Sequence, residues 1–268
     1  MIWAVLSVIG VLLVFFALKP HMPPGNVSHQ SADQTETNTV IAAIMTPIGV
    51  GVIAFLIYAV FAFRAPRGDE DDGPYTKGHG AVQRTWILVT TGIVLALAIY
   101  GTDELLSTSA GIAGVGGGQG PTLITSAPAG ALQVQVIGQQ WAFTYRYPQY
   151  GDIETTVLAI PVDRPVIFNV TSIDVIHSFW AYKLGVKIDA VPGTTNTAGT
   201  TATHTGIFDV RCAELCGLWH GAMTNKGEVL NSPAFAAWIR VQQAHQPAPN
   251  TLPPHSKTYF PDPNDRAG

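Results

Sequence analysis

The sequence predicts N-terminal transmembrane α-helices followed by an all-β sandwich or barrel domain. Charged residues make up only 12% of the chain, and its mean hydropathy is +0.25, which is too apolar for an ordinary soluble protein. Long uncharged runs lie before residue 107, whereas short β-branched segments between turn residues follow later. The formal net charge of −4 argues against a nucleic-acid partner.

Three apolar runs form the membrane part of this prediction. Residues 40–63 carry no charged side chain and exceed the roughly 20 residues that a span requires. A further span is predicted over 85–106, where Thr85–Thr102 is uncharged. Residues 1–18 are either an extra transmembrane helix or a cleaved signal segment. The lack of a basic start and of a small-residue cleavage site before Lys19 favours the uncleaved helix, and both interpretations stay open.

The distribution of basic residues predicts the orientation in the membrane. Four basic residues lie between the second and third runs, namely Arg64, Arg67, Lys77 and Arg84, whereas no Lys or Arg follows until Arg146. Because cytoplasmic loops are enriched in Lys and Arg, we expect 64–84 to be cytoplasmic. The chain is therefore predicted to be a multi-pass protein of the cell membrane, with its C-terminal half on the outer, periplasmic side.

The part after the spans divides into three segments by composition. Residues 107–131 are rich in Gly, Ser and Ala and are predicted to form a linker. A folded domain is predicted over 132–244, and an irregular Pro- and Asn-rich tail over 245–268.

Local patterns predict the elements of the folded domain. Thr155–Ile160 and Val166–Val170 are β-branched runs bounded by turn residues, as in the short strands of a sandwich. Ser232–Gln243 is predicted to be a terminal helix capped by Ser232, with an apolar face of Phe235, Trp238 and Ile239.

Both cysteines of the chain lie in one short motif that also holds a histidine and a methionine. Cys216, His220 and Met223, with a distant His177, match the donors of a mononuclear blue-copper site, and soft sulfur ligands with imidazole select copper. The additional Cys212 changes this prediction, because two thiolates in one tight loop can bridge two copper ions. Each histidine would then bind one copper, and two weak ligands would complete the pair. The predicted metal ligands are His177, Cys212, Glu214 through its carbonyl, Cys216, His220 and Met223.

Two other interpretations of the cysteines remain. Cys212 and Cys216 could form a disulfide in an oxidising compartment, which leaves the His and Met spacing unexplained. A zinc site is the second alternative, but methionine is a poor zinc ligand.

At these motifs the chain resembles subunit II of the haem–copper cytochrome c oxidases, which holds the dinuclear copper A centre. The resemblance covers both later spans and the outer domain. It is carried by Cys212-x-Glu214-x-Cys216-x-x-x-His220-x-x-Met223, by Asp174-Val-Ile-His177-Ser-Phe-Trp with Leu184-Gly-Val-Lys187-Ile-Asp189-Ala-Val-Pro192-Gly193, and by Gln140-Trp141-Ala-Phe143-Thr-Tyr145-Arg-Tyr147.

The resemblance implies a cupredoxin-like domain and a function for each motif. Trp141 is implied to receive the electron from cytochrome c or another small redox protein. The carboxylate of Glu214 is implied to bind a magnesium or manganese ion at the interface with subunit I, where Lys187 and Asp189 help to hold the two subunits together. The copper pair is implied to pass electrons to haem in subunit I.

By the same resemblance the chain is part of an enzyme, an oxidoreductase and translocase. Oxygen is reduced to water, coupled to proton translocation, at a site on another subunit. Subunits I and III are the implied membrane partners.

The sequence departs from the family pattern at two positions. Phe143 stands where a second tryptophan is common, and Gln83 stands three residues before Trp86, where a glutamate is common. The resemblance implies that the usual glutamate at the mouth of one proton channel is missing.

Other functions remain possible for the same copper motif. The chain could be the copper-containing subunit of a nitric oxide reductase complex or a membrane-tethered copper carrier. A quinol oxidase subunit is disfavoured because such subunits lack the copper ligands, and nitrous oxide reductase requires a large propeller domain that this chain is too short to hold.

Overall fold

The computed structural model of the chain describes residues 2–64, 68, 78–109 and 128–245. It divides into two compact units, one formed by Met1–His21 and Thr37–Ser107 and the other by Met22–Glu36 and Thr108–Gly268. Most of the predicted linker 107–131 and of the predicted tail 245–268 lies outside the described residues, as do Arg67 and Lys77 of the predicted cytoplasmic loop.

Apolar helices make up the first unit. Helix α1 spans Ile2–Leu13 and continues as a π-helical turn, Val14–Leu18; helix α2 spans His29–Ala62, and helix α3 spans Gly80–Ser109. Three segments are long and apolar enough to cross a membrane, namely Trp3–His21, His29–Ala62 and Gly80–Glu104. Large apolar side chains such as Phe55 and Leu88 are exposed along these helices, as expected for surfaces that face lipid.

Helices α1 and α2 pack closely at small residues. The indole N–H of Trp3 donates to the carbonyl oxygen of Pro47 at 2.9 Å. A Cβ atom at Gly51 would lie 2.9 Å from the same indole nitrogen, so glycine is what lets the tryptophan approach the helix. Small residues at such crossings are typical of packing between membrane helices.

Helix α2 begins before the predicted span of 40–63, at His29. The cause is a reciprocal cap, in which Ser31 N donates to Ser28 Oγ at 3.0 Å and Ser28 N donates to Ser31 Oγ at 2.9 Å. Such pairs satisfy backbone N–H groups that the first helical turn leaves free. Hydropathy does not reveal this polar first part of the helix.

The segment Met22–Glu36 belongs to the second unit and is hydrogen-bonded to its β-domain. Ser28 Oγ donates to the carbonyl oxygen of Leu184 at 2.8 Å, and Gln34 Nε2 donates to that of Gly185 at 2.9 Å. The hydroxyl of Thr200 donates to Gln30 Oε1 at 3.0 Å. The β-domain therefore uses residues that follow the first candidate span and form the beginning of helix α2.

Ten strands form two five-stranded sheets within the described residues. The strands are β1 Leu132–Gln139, β2 Ala142–Tyr147, β3 Ile153–Thr155, β4 Leu158–Pro161, β5 Pro165–Ser172, β6 His177–Ala181, β7 Val186–Ala190, β8 Asn196–Thr201, β9 Gly206–Cys212 and β10 Thr224–Leu230. The first sheet has the order β3-β2-β1-β5-β8 and the second β4-β10-β9-β6-β7. Only the β1–β5 and β4–β10 pairs of these sheets are parallel. The predicted all-β sandwich class is confirmed.

Aromatic side chains fill the space between the sheets. Phe143 and Phe168 of the first sheet pack on Phe179 of the second, with ring centroids 5.8 Å and 5.2 Å away. All three rings are fully buried, and burial of one phenylalanine side chain contributes about 1.5–3 kcal/mol. This core ends at His177, whose ring centroid lies 6.2 Å from that of Phe143.

Two local predictions for the β-domain were wrong in detail. The run Thr155–Ile160 does not form one strand, because Val157 N donates to Thr155 Oγ1 at 3.0 Å and turns the chain from β3 in one sheet to β4 in the other. The terminal helix α4 spans Ser232–His245, but Asn231 caps it rather than Ser232, because Asn231 Oδ1 accepts from Ala234 N at 2.9 Å.

The predicted apolar face of α4 is confirmed. Phe235 and Ile239 are buried, and Trp238 stacks on Phe235 and packs against Tyr147.

Candidate metal centre

The sequence-predicted ligands meet at one end of the second sheet. His177 is the first residue of β6, and Cys212 is the last residue of the neighbouring strand β9. Residues 213–223, the ligand loop, connect β9 to β10 and hold Cys216, His220 and Met223. Cys212 N donates to Met223 O at 3.1 Å, so the loop is closed where it leaves the sheet.

Each of the two thiols has its own imidazole. The sulfur atoms of Cys212 and Cys216 lie 3.8 Å apart. Nδ1 of His177 lies 3.8 Å from the Cys212 sulfur, and Nδ1 of His220 lies 3.5 Å from the Cys216 sulfur. Donor atoms of His177, Cys212 and Cys216 all lie within 4.8 Å of one another, close enough to share a metal ion.

A weak donor accompanies each thiol as well. Met223 Sδ lies 3.8 Å from the Cys216 sulfur, and the carbonyl oxygen of Glu214 lies 3.2 Å from the Cys212 sulfur. The side chain of Glu214 is exposed, so only its main chain joins the cluster. Two thiols, two imidazoles, a thioether and a carbonyl suit copper, since thioether and thiolate are soft ligands.

The two cysteines are not joined by a disulfide. Their sulfur separation of 3.8 Å is far from the roughly 2.05 Å of an S–S bond. Both side chains are buried, at 8% exposure for Cys212 and 3% for Cys216, and the neighbouring His177 and Met223 are equally shielded. The cluster is a closed set of soft donors, which binds metal more readily than it admits a substrate.

The two thiols differ in acidity. Burial raises the pKa of Cys212, but hydrogen bonds from His177 and from the backbone outweigh it and lower that pKa. Burial and the neighbouring Cys212 raise the pKa of Cys216. When no cation lies between them, deprotonation of one thiol therefore disfavours deprotonation of the other, because the two negative charges repel. A cation between them removes this repulsion, which fits the site to a metal.

An acidic side chain orients His177. Asp174 Oδ1 lies 2.9 Å from His177 Nε2, while the other carboxylate oxygen accepts from Gln140 N at 2.6 Å. Burial raises the pKa of Asp174, but the hydrogen bonds from Gln140 and His177 lower it overall. A carboxylate behind a ligating histidine fixes which ring nitrogen faces the metal. No role was predicted for Asp174, although its position three residues before His177 is a usable signal.

Two glycines let neighbouring groups approach the centre. A Cβ atom at Gly138 of β1 would lie 3.1 Å from Cδ2 of His177. Gly217, directly after Cys216, has φ of +117°, and its Cβ would lie 2.9 Å from Gln140 Nε2. Neither role was predicted, because the partners are distant in sequence.

Trp141 lies against the ligand loop and packs on the buried core that includes the two cysteines. It belongs to the turn between β1 and β2, and its indole Nε1 and Cζ2 are each 3.4 Å from the Cβ position of Gly217. The indole N–H is buried and has no acceptor within the described part of the chain. The indole therefore lies near Gly217, the residue directly after Cys216.

The ligand loop itself carries exposed apolar side chains. Leu215 and Leu218 are each 83% exposed, and Trp219 is 58% exposed. Val175 and Ile176, which directly precede His177, are also exposed. Exposed apolar groups concentrated in this way are typical of a surface that binds another protein.

Known proteins share this sequence over nearly its whole length. The family model for cytochrome C oxidase subunit II, periplasmic domain, matches residues 154–228. Cytochrome c oxidase subunit 2 of Thermostichus vulcanus is 30% identical over 92% of this chain and 87% of that protein. The same subunit of Synechocystis sp. is 31% identical over 82% of this chain and 75% of that protein.

A solved structure is also similar. It is the periplasmic domain of subunit II of cytochrome oxidase of Bradyrhizobium japonicum, at 32% identity, with a TM-score of 0.41, covering 42% of this chain and 94% of that one. The chain therefore belongs to the family of cytochrome c oxidase subunit II, a subunit of a haem–copper terminal oxidase.

Proposed function

We propose that this chain is the electron-input subunit of its oxidase, with two copper ions held between Cys212 and Cys216. The observation that carries the proposal is the pairing of two thiols 3.8 Å apart, each with its own imidazole. Cys212, Cys216, His177, His220, Met223 and the carbonyl of Glu214 would hold the copper, and bound copper would supply one-electron redox chemistry at this site.

The protein supplies a site that resists movement. Cys212 and His177 lie on neighbouring strands that are hydrogen-bonded to each other, and Asp174 fixes the ring of His177. Ligands held by strand ends and outer hydrogen bonds keep their positions when the charge of a site changes. Burial of Cys216 and Met223 also excludes water from the sulfur ligands.

Trp141 is the position at which we propose that the electron arrives. Its contact with Gly217 links a partly exposed indole to the residue next to Cys216. The exposed Leu215, Leu218 and Trp219 flank this route, and we assign them to the surface that binds cytochrome c or another small redox protein. Because the positive and negative charges of residues 132–268 nearly balance, we propose that this surface binds its partner mainly through apolar contacts.

The outward side chain of Glu214 supports a second role. Its carbonyl faces the Cys212 sulfur, while its exposed carboxylate is free to reach a magnesium or manganese ion shared with subunit I. Lys187 and Asp189, on the edge strand β7, are proposed to contact the same subunit. Subunit III is proposed as a further membrane partner.

The chain itself is proposed not to reduce oxygen. That reaction and the coupled translocation of protons are assigned to another subunit, which holds the haem. The apolar helices and the distribution of basic residues support a multi-pass arrangement in the cell membrane, with the copper domain on the outer side. Gln83, on α3, would not supply a glutamate to a proton channel.

The alternative functions are less well supported. The relatives described above are cytochrome c oxidase subunits, which disfavours a nitric oxide reductase complex. A copper carrier must release its cargo to a partner and so requires accessible ligands, whereas His177 and Met223 are almost completely buried here.

Electron paramagnetic resonance with copper analysis on the full-length protein tests the proposal. We expect two coppers per chain and hyperfine coupling of one electron to both nuclei. One copper with coupling to a single nucleus would instead indicate a mononuclear site. The full chain is required because residues 22–36 are hydrogen-bonded to the β-domain.

A further inference from the structure

Gln140 links the two halves of the ligand set. It lies at the tip of the hairpin between β1 and β2. Its side-chain Nε2 donates to the carbonyl oxygen of Cys216 at 2.7 Å, and its main-chain N–H donates to Asp174 Oδ2 at 2.6 Å. Since Asp174 also holds His177, Gln140 is bonded to both segments that carry ligands.

These segments are far apart along the chain. Asp174 precedes strand β6 and His177 is its first residue. Cys216 lies in the ligand loop, after strand β9. Their strands pair at Phe179 and Cys212, but the loop then leaves the sheet. The hairpin that reaches the loop from outside belongs to the opposite sheet, which holds β1 and β2.

The bond from Gln140 acts at the part of the loop that Trp141 touches. The carbonyl of Cys216 is covalently joined to Gly217, whose Cβ position is 3.4 Å from the Trp141 indole and 2.9 Å from Gln140 Nε2. Displacement of this peptide would therefore move the Cys216 ligand and open the contact with Trp141 together.

We infer that Gln140 is a positioning residue that holds the Cys216 peptide against Trp141 and fixes the ligand loop for metal binding. Its side-chain amide supplies the hydrogen bond to the loop, and its main chain supplies the bond to the carboxylate behind His177. The metal-binding part of this inference rests on the proposed function, whereas the ordering of the loop applies to the metal-free chain as well.

Two substitutions separate the hydrogen bond from packing. Gln140→Glu has nearly the same shape but replaces the donating amide with an acceptor, which repels the Cys216 carbonyl. Gln140→Leu removes all polar interaction of the side chain. Both leave the main-chain bond to Asp174 in place. Gln139→Leu is the matched control, since Gln139 precedes it on the same hairpin and its side chain has no hydrogen bond to the loop within the described residues.

The first measurement is copper loss from the full-length protein to a bicinchoninate chelator. We expect both Gln140 variants to lose copper about 10–100-fold faster than the wild type, as is usual when an outer partner of a metal ligand is removed. Gln139→Leu should match the wild type. Copper bound at saturation should remain unchanged, because all ligands are still present.

The second measurement is amide hydrogen exchange over residues 212–224 of the metal-free full-length protein. This peptide contains the loop's own bonds, such as His220 N to Gly217 O at 3.1 Å and Ala222 N to Trp219 O at 2.9 Å. We expect faster exchange in both Gln140 variants than in Gln139→Leu. The comparison requires that the variants are folded. Unchanged amide exchange in the core strands β5 and β9 would establish this.

The outcomes separate this inference from the proposed function. If both Gln140 variants exchange and lose copper as Gln139→Leu does, Gln140 is a surface residue and the inference is wrong. If a variant is globally unfolded, Gln140→Asn takes its place, because its side chain is one methylene too short to reach the Cys216 carbonyl. Faster copper loss and faster amide exchange are again expected. If the wild type fails to bind two coppers, the proposed function fails, and exchange in the metal-free protein still decides whether Gln140 orders the loop.

Discussion

Asp174 determines which nitrogen of His177 faces the two thiols. Its Oδ1 lies 2.9 Å from Nε2 of His177, and Nδ1 consequently points to the Cys212 sulfur at 3.8 Å. Asp174 is itself held by the backbone N–H groups of Gln140 and Val175, both at 2.6 Å. Hydrogen bonds around Asp174 thus support the orientation of the ring, as outer partners of a ligating histidine do.

Asp174→Ala is expected to weaken copper binding about 10–100-fold, because the imidazole loses its fixed orientation. Competition titration with a copper chelator measures the affinity. Asp209→Asn is the control, since this carboxylate lies on the same sheet but bonds to the exposed Lys226. Equal affinities for the Asp174 variant and the wild type would show that His177 is positioned by its strand alone.

Cys216→Ser is expected to abolish the dinuclear centre, since a hydroxyl cannot replace a bridging thiolate. The remaining Cys212, His177 and Met223 could still hold a single ion. Copper analysis and electron paramagnetic resonance report the change. A variant that keeps two coppers and normal turnover would exclude Cys216 as a bridging ligand.

Gly217→Ala should destabilise the ligand loop. Its φ of +117° strains any L residue, and the added Cβ would lie 2.9 Å from Gln140 Nε2. We expect a loss of about 1–3 kcal/mol in the free energy of unfolding of the metal-free protein. Gly221→Ala in the same loop is the control, because its Cβ would meet nothing within 4 Å. Equal stability of the two variants, measured by denaturant unfolding, would mean that the loop adapts freely.

The ligand set was predictable because its signal is local. Cys212, Cys216, His220 and Met223 lie within one short loop, so their spacing alone brings the donors together. His177 is distant in sequence and was assigned because it completes the donor set of a copper site. The structure brings it to the loop through the pairing of β6 and β9.

The supporting residues could not be predicted in the same way. The bonds of Gln140 to Asp174 and to Cys216 join residues 34 and 76 positions apart, and no periodic pattern marks them. The start of α2 was missed for a different reason. Its first turns are polar and are stabilised by Ser28 and Ser31, whereas the prediction followed apolar character.

Asn225→Ala is expected to loosen the contact between the two sheets beside the centre. Asn225 of β10 accepts from Phe143 N at 3.2 Å and donates to Thr156 O at 2.7 Å, so it joins the second sheet to the chain around β2. In this variant Phe143 N loses its acceptor and Thr156 O loses its donor, which should lower the free energy of unfolding by about 1–3 kcal/mol. Thr224→Ala, at the exposed neighbouring position, is the control in denaturant unfolding. A smaller loss for Asn225→Ala than for the control would contradict this role.

Trp141→Phe is expected to slow electron arrival while the copper spectrum stays unchanged. The smaller phenylalanine ring keeps a hydrophobic group in the turn. It lacks the indole atoms Nε1 and Cζ2, which lie 3.4 Å from the Cβ position of Gly217. Rapid-mixing kinetics with reduced cytochrome c give the rate, and resonance spectra report the centre.

Trp180→Phe controls for the general loss of an indole, since Trp180 is exposed on β6 and packs on Tyr182 rather than on the ligand loop. A lower rate in both variants would point to a general effect on the domain surface. A lower rate in Trp141→Phe alone would place electron arrival at this turn. An unchanged rate would mean that Trp141 only packs against the loop and is not the position at which the electron arrives.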